Sequence, residues 1–157
     1  MTTSTATTPL TSLQTGHVGL NVSDLDRSSE FYQQVFGLHV LKEGTDANQR
    51  WVFLARDGKL MVTLFQQSTG VFDTATPGLH HLSFQVESMD QVRAAEEIVR
   101  GLGATFFHDG IVAHAEGADS GGIFFADPDG IRLEIFTPNG ASESPAPSGE
   151  APTCGFF

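Results

Sequence analysis

The chain has 157 residues, with 8 Lys plus Arg against 19 Asp plus Glu and a formal net charge of −11. Nucleic acid and anionic membrane surfaces are excluded as partners, because their phosphates would be repelled. A single cysteine, Cys154, excludes an intrachain disulfide and a thiolate metal cluster.

The length fits one domain with a buried core. No apolar run approaches the ~20 residues of a membrane span. The opening MTTSTATTPL lacks a basic region followed by an apolar stretch, so the cytoplasm is the expected compartment. Residues 1–13 are expected to form a disordered tail. Residues 17–22 (HVGLNV) alternate polar and apolar, the period of a half-buried strand. Ser23 then sits as a helix N-cap, Leu25, Tyr32, Val35 and Phe36 line one helix side, and Gly37 stops the helix. Strands are predicted at 38–42, 50–56 and 59–66.

The pattern then repeats. At an offset of 64, His17 matches His81, Val22 matches Val86, Asp26 matches Asp90 and Gly37 matches Gly101. Residues 81–86 (HLSFQV) form the second opening strand. Ser88 caps a helix whose core side is Met89, Val92, Ile98 and Val99, and Gly101 ends it. Strands are predicted at 104–108, 122–126 and 131–137. Asp57-Gly58 matches Asp129-Gly130 at an offset of 72, so about eight extra residues belong to the second unit, in the loop near 108–120. The fold class is therefore α+β: two tandem βαβββ modules, about 14–76 and 77–138, forming a curled mixed sheet around a metal cleft. Residues 139–157 are rich in Pro, Ser, Gly and Glu and are expected to be a flexible tail. Its Cys154-Gly155-Phe156-Phe157 end is the exception. An alternative is that it folds back over the cleft as a lid or an extra ligand.

Strand parity supplies the chemistry. Residues i and i+2 share a face. Val18, Leu20, Val22, then Leu82, Phe84, Val86, then Ile131, Leu133, Ile135 go under the helices. His17, His81 and Glu134 fall on the faces that look away. If those faces converge, two imidazoles and a carboxylate form a site for divalent Fe, Mn, Co, Ni or Zn, with positions open for substrate.

The motifs GHVGLNVSD (16–24), SSEFYQQVFGL (28–38), HHLSFQVES (80–88) and FFADPDGIRLEIF (124–136) resemble the vicinal oxygen chelate superfamily, also called the glyoxalase/bleomycin-resistance/dioxygenase superfamily. The resemblance covers about residues 14–138. It implies metal ligands at His17, His81 and Glu134. A fourth family position falls at Thr63 or Val62, neither of which is a ligand. A three-ligand set resembles extradiol dioxygenases, which act on a substrate chelated through adjacent oxygens, with O₂ as co-substrate. The leading expectation is thus an Fe(II) dioxygenase of a small aromatic or polyketide-like substrate, with Mn(II), Zn(II), Ni(II) or Co(II) as other metals. The alternatives are a fosfomycin-type Mn(II) thiol transferase or hydrolase, a glyoxalase- or isomerase-like lyase, and a non-enzymatic drug-binding resistance protein. The resemblance also implies a homodimer, and whether a cleft lies within one chain or across two stays open.

Extradiol chemistry needs an acid–base group, and His114 in the longer loop is the candidate. The tyrosine that such dioxygenases carry on the strand before the ligand Glu is replaced here by Phe124 or Phe125. Asn21, Ser83, Gln85 and Arg132 share the ligands' parity and are candidate substrate contacts, with Gln66 at the end of the strand that lacks a ligand. Trp51, Phe53, Phe65 and Phe136 are candidates for an aromatic wall. His80 has the opposite parity to His81 and is read as structural, as are His39 and His108. Asp127-Pro128-Asp129-Gly130 is turn chemistry that aims Glu134.

Overall fold

The computed structural model describes residues 9–157. Most of the expected tail 1–13 lies outside them. Module 1 consists of β1 (Val18–Asn21), α1 (Leu25–Phe36), β2 (His39–Asp46), β3 (Gln49–Arg56) and β4 (Lys59–Phe65). Module 2 consists of β5 (Leu82–Gln85), α2 (Met89–Gly101), β6 (Val112–Ala113), β7 (Gly121–Ala126) and β8 (Arg132–Thr137). Each module forms a four-stranded mixed sheet, ordered β1-β4-β3-β2 and β5-β8-β7-β6, with the first strand parallel to the last. This is the expected α+β plan, with two separate sheets.

Both helices are amphipathic, and their apolar sides meet the sheets in one core. Tyr32, Phe36, Val92 and Val99 lie with Leu64, Leu133 and Ile135 in that core. Phe36 of α1 reaches Phe84 of β5, ring centroids 4.1 Å apart, so the modules share it. Burial of such rings is the main cohesive term, at roughly 25 cal/mol per Å² of apolar surface.

The helix ends differ from expectation in three places. Asp24 caps α1, its Oδ1 accepting from Arg27 N at 3.1 Å. Ser23 turns instead to Asp129, which its hydroxyl and backbone N–H both reach. Helix α2 runs through Gly101, and it is Gly103, at φ +72°, that takes the left-handed turn. Ile98 is largely exposed, and Ala95 takes its place toward the core. The Ser88 cap and the Gly37 stop (φ +65°) are as read from the sequence.

Residues 104–108 form no strand, only a bridge from Phe106 to Phe125. The second strand of module 2 is instead the two-residue β6, which pairs with Gly121 and Gly122. A Cβ on Gly122 would collide with the Ile135 carbonyl oxygen, and one on Gly121 with Val112 O. Glycines here let β6, β7 and β8 approach closely.

The modules are tied by the β7–β8 turn. Asp127 Oδ1 accepts from Asp129 N (2.9 Å) and Ile131 N (2.8 Å), while Asp127 Oδ2 accepts from the Tyr32 hydroxyl at 2.9 Å. Arg27 pairs with Asp129 at 3.1 Å. The start of α1 therefore grips the turn that leads into β8.

Residues 139–157, expected to be flexible, are packed against module 2. Ala113 N donates to Pro145 O (2.8 Å), Glu116 N to Gly149 O (2.7 Å), and Thr153 N to His114 O (2.7 Å). Ala141 and Thr153 are fully buried, and Thr153 Oγ1 donates to Ala113 O at 2.6 Å. The segment satisfies backbone groups of the β6 edge that no strand covers, which composition alone does not reveal.

Candidate functional site

The register identifies the two sites' counterparts. Gly19 lies opposite Thr63 in module 1, and Ser83 opposite Glu134 in module 2. Thr63, not Val62, is thus the partner of Glu134 by position. Val62 faces the helix side with Leu64.

Glu134 sits in the middle of β8, with 4% of its side chain exposed. Its Oε2 is 2.5 Å from His114 Nε2, and its Oε1 is 3.8 Å from His81 Nε2. His114 Nδ1 is 2.8 Å from Ser120 Oγ. A carboxylate buried at such a point is stable only with compensating charge or hydrogen bonds, and imidazoles flank it on both sides. The rings of Phe124 and Phe136 pack against His114, with centroids 6.3 and 5.1 Å away. Phe124, opposite Glu134 in the register, stands where a tyrosine was sought.

His17 is not part of this cluster. It is exposed and precedes β1 in the other sheet. Among the described residues no group of three or more His, Cys, Asp or Glu side chains is placed to hold a metal. The expected three-ligand convergence is therefore absent within one copy of the chain, because its donors lie on two sheets that do not join.

The histidine pair 80–81 has a definite proton order. Arg132 Nη1 is 3.2 Å from His80 Nε2, and a guanidinium only donates. A neutral His80 then carries its proton on Nδ1, 2.9 Å from His81 Nδ1, which accepts. A neutral His81 keeps its proton on Nε2, toward Glu134. Burial pushes the His81 imidazole below its ordinary value, against the pull of Glu134. Metal ligation through Nε2 needs the opposite tautomer.

The other sequence candidates disperse. Ser83 and Gln85 are exposed on β5, and Gln85 borders a cavity of about 530 Å³ between the modules. Asn21 Oδ1 accepts from Gln67 N at 3.0 Å. Gln66 leaves the cleft altogether. Its Oε1 accepts from Leu25 N at 2.8 Å, filling a vacancy in the first turn of α1. Trp51, Phe53 and Phe65 border a cavity of about 260 Å³ on the module 1 sheet, away from Glu134.

Two residues near Glu134, His80 and His108, were not read as functional, while Phe157 entered only through the alternative that the chain's last residues fold back over the cleft. The Phe157 ring packs on Phe124 (4.9 Å), Phe107 (5.2 Å) and His81 (5.6 Å), with the Arg132 guanidinium 5.5 Å from its centroid. His108 lies beside it, 6.4 Å away, with a buried Nε2 that has no hydrogen-bond partner. The usable signal was an aromatic pair at the end of a tail otherwise without aromatics. Burial, reinforced by the Glu134 carboxylate, pushes the Cys154 thiol up. It stays protonated near pH 7, which disfavours it as an extra ligand.

The profile of the Glyoxalase/Bleomycin resistance protein/Dioxygenase superfamily matches residues 14–135. The chain belongs to this superfamily. The crystal structure of a glyoxylase/bleomycin resistance protein/dioxygenase domain from Frankia sp. EAN1pec superposes with a TM-score of 0.71 at 32% identity, over 80% of this chain and 98% of that one. A probable trivalent organoarsenical cleaving enzyme of Bacillus subtilis (strain 168) is 30% identical over 81% of this chain and 82% of its own length. A catechol-2,3-dioxygenase of the same strain is 27% identical over 77% of this chain, which spans only 40% of that enzyme. Members of the superfamily usually bind a divalent metal and a small molecule. No helix among the described residues is long and apolar enough to cross a membrane.

Proposed function

We propose that the chain is a divalent-metal enzyme of the extradiol-dioxygenase type, using Fe(II) on a small aromatic or polyketide-like substrate bound through two adjacent oxygens. The observation that carries this reading is the buried Glu134 carboxylate flanked by His81 and His114 in the only module with an acid at that position. His81 and Glu134 fit two ligands of a two-His, one-carboxylate set. His17, exposed on the other sheet, supplies the third from a second copy of the chain, so the working unit is a homodimer. Fe(II) held by these residues would supply redox chemistry toward O₂ and a substrate bound through adjacent oxygens.

This chain's own residues have separate tasks. Ser120 fixes His114, and His114 fixes one oxygen of Glu134, leaving the other toward His81. His114 also stands where a proton can be exchanged with a substrate hydroxyl. Phe124 and Phe136 keep water from Glu134. Arg132 and the exposed Ser83 face the approach to this sheet.

The test is anaerobic purification, followed by metal analysis of the wild type, Glu134→Ala, His17→Ala and His114→Ala. About one Fe per chain, lost in Glu134→Ala and His17→Ala, supports the reading and leads to oxygen-uptake assays with catechols. Metal retained in His17→Ala but lost in His114→Ala overturns the shared set. Mn in place of Fe shifts the reading to a fosfomycin-type transferase or hydrolase. No metal even after reconstitution leaves a drug-binding cleft.

A further inference from the structure

We propose that Phe157 occupies an aromatic-ring subsite built by His81, Phe107, His108, Phe124 and Arg132, and that the segment after Thr153 is a displaceable plug of that subsite. This deepens the function just proposed and rests on it for one point, that substrate approaches Glu134 from this face.

The anchoring of the segment shows where it can move. Thr153 is buried and held by two hydrogen bonds to residues 113 and 114. Beyond it, the backbone bonds are local: Gly155 N donates to Pro152 O (3.0 Å) and Phe156 N to Thr153 O (3.1 Å). Phe156 is 62% exposed. Phe157 makes its ring contacts four residues past a firm anchor. Rotation about residues 154–156 clears the subsite without disturbing Thr153.

The lining names the ligand class. Two phenyl rings and three imidazoles, His80 among them at 6.0 Å, pack around a flat ring. Arg132 attracts the face of that ring or an anionic substituent on it. The His108 ring lies 6.4 Å from that of Phe157, and its buried Nε2 has no hydrogen-bond partner. An unpaired buried polar atom is unfavourable, and a ring oxygen would satisfy it. The subsite therefore fits a planar aromatic ring bearing an acidic oxygen substituent better than it fits Phe157.

Salicylate, a fluorescent aromatic carboxylate, is the probe, titrated into metal-free full-length protein. Phe157→Ala is expected to bind it about tenfold more tightly than the wild type, as for a site about nine-tenths closed by its own segment. Phe107→Ala in the Phe157→Ala background is expected to reverse most of that gain. Unchanged or weaker binding by Phe157→Ala overturns the plug and makes Phe157 a wall. A second measurement needs no variant. Saturating salicylate is expected to speed alkylation of Cys154 by iodoacetamide several-fold as the segment swings out, and an unchanged or slower rate overturns the proposal. Because the titration is done without metal, tight salicylate binding with no metal uptake would sink the dioxygenase reading and leave the subsite standing.

Discussion

Module 1 and module 2 share one backbone plan, yet only one carries an acid at its centre. At matching register, module 1 pairs Gly19 with Thr63 and module 2 pairs Ser83 with Glu134. The strand turns differ in the same direction. Asp57 and Gly58 close β3–β4 as a two-residue turn with both φ positive, which needs no support from elsewhere. The β7–β8 turn is longer, and its Asp127 is gripped by Tyr32 of the other module. Module 2 also has its open face covered by residues 139–157. A repeated fold thus separates two jobs: one copy keeps a small, uncharged centre, while the other carries the charged cluster and the extra contacts that hold it.

Variants at matching places can break this comparison. The largest effect is expected from Gly122→Ala, which drives a Cβ into the Ile135 carbonyl. It should destabilise by more than about 4 kcal/mol, the range of severe backbone collisions, as read by urea denaturation. The exposed Gly101→Ala has open space and should be neutral or slightly stabilising.

Next is Glu134→Ala against Thr63→Ala. The former should lower metal affinity by more than the roughly 10–100-fold typical of losing an outer-shell partner. The latter should leave metal content unchanged, and equal loss in both would refute the division between modules.

Tyr32→Phe comes third. It removes a hydrogen bond to a buried carboxylate and should destabilise by about 1.5–3 kcal/mol. It also changes the alkaline limb. Burial first, and Asp127 second, raise the Tyr32 phenol well above its ordinary value. The unfolded chain then loses this proton near pH 10 while the folded chain keeps it. Stability from this group is full below pH ~10 and falls as pH rises above it. Denaturation midpoints across pH 9–11 should show that slope in the wild type and a reduced one in Tyr32→Phe.

The smallest effect is expected at Thr63, whose buried hydroxyl has no partner. Thr63→Val keeps the shape and removes the orphan, so it should stabilise by about 1 kcal/mol. A loss of stability would mean that the hydroxyl has a partner in the working assembly.

Much of the fold was legible because it depends on local pattern. Period-two alternation placed β1, β5 and β8, the Ser88 cap and the Gly37 stop bounded helices, and the offset of 64 exposed the duplication. Parity put Glu134 on the face away from the helices. What failed was long-range. Gln66 was chosen as the end of the strand that lacks a ligand, but an empty acceptor position at the start of α1 took it. Ser23 looked like a cap, but Asp129, over a hundred residues on, claimed its hydroxyl. His114 was chosen for its chemistry, and only the folded loop shows that it rests on Glu134.

The sequence by itself determined the two-module α+β plan, the superfamily, and the asymmetry of one acid between two repeats. These follow from periodicity, duplication and residue identity, all readable within a few turns of chain. Only the tertiary structure decided that His17 stands apart from His81 and Glu134, and that residues 139–157 pack with Phe157 against Phe124. Those outcomes depend on how the two sheets sit and which edge lacks hydrogen-bond partners, a property of the assembled surface that no local pattern encodes.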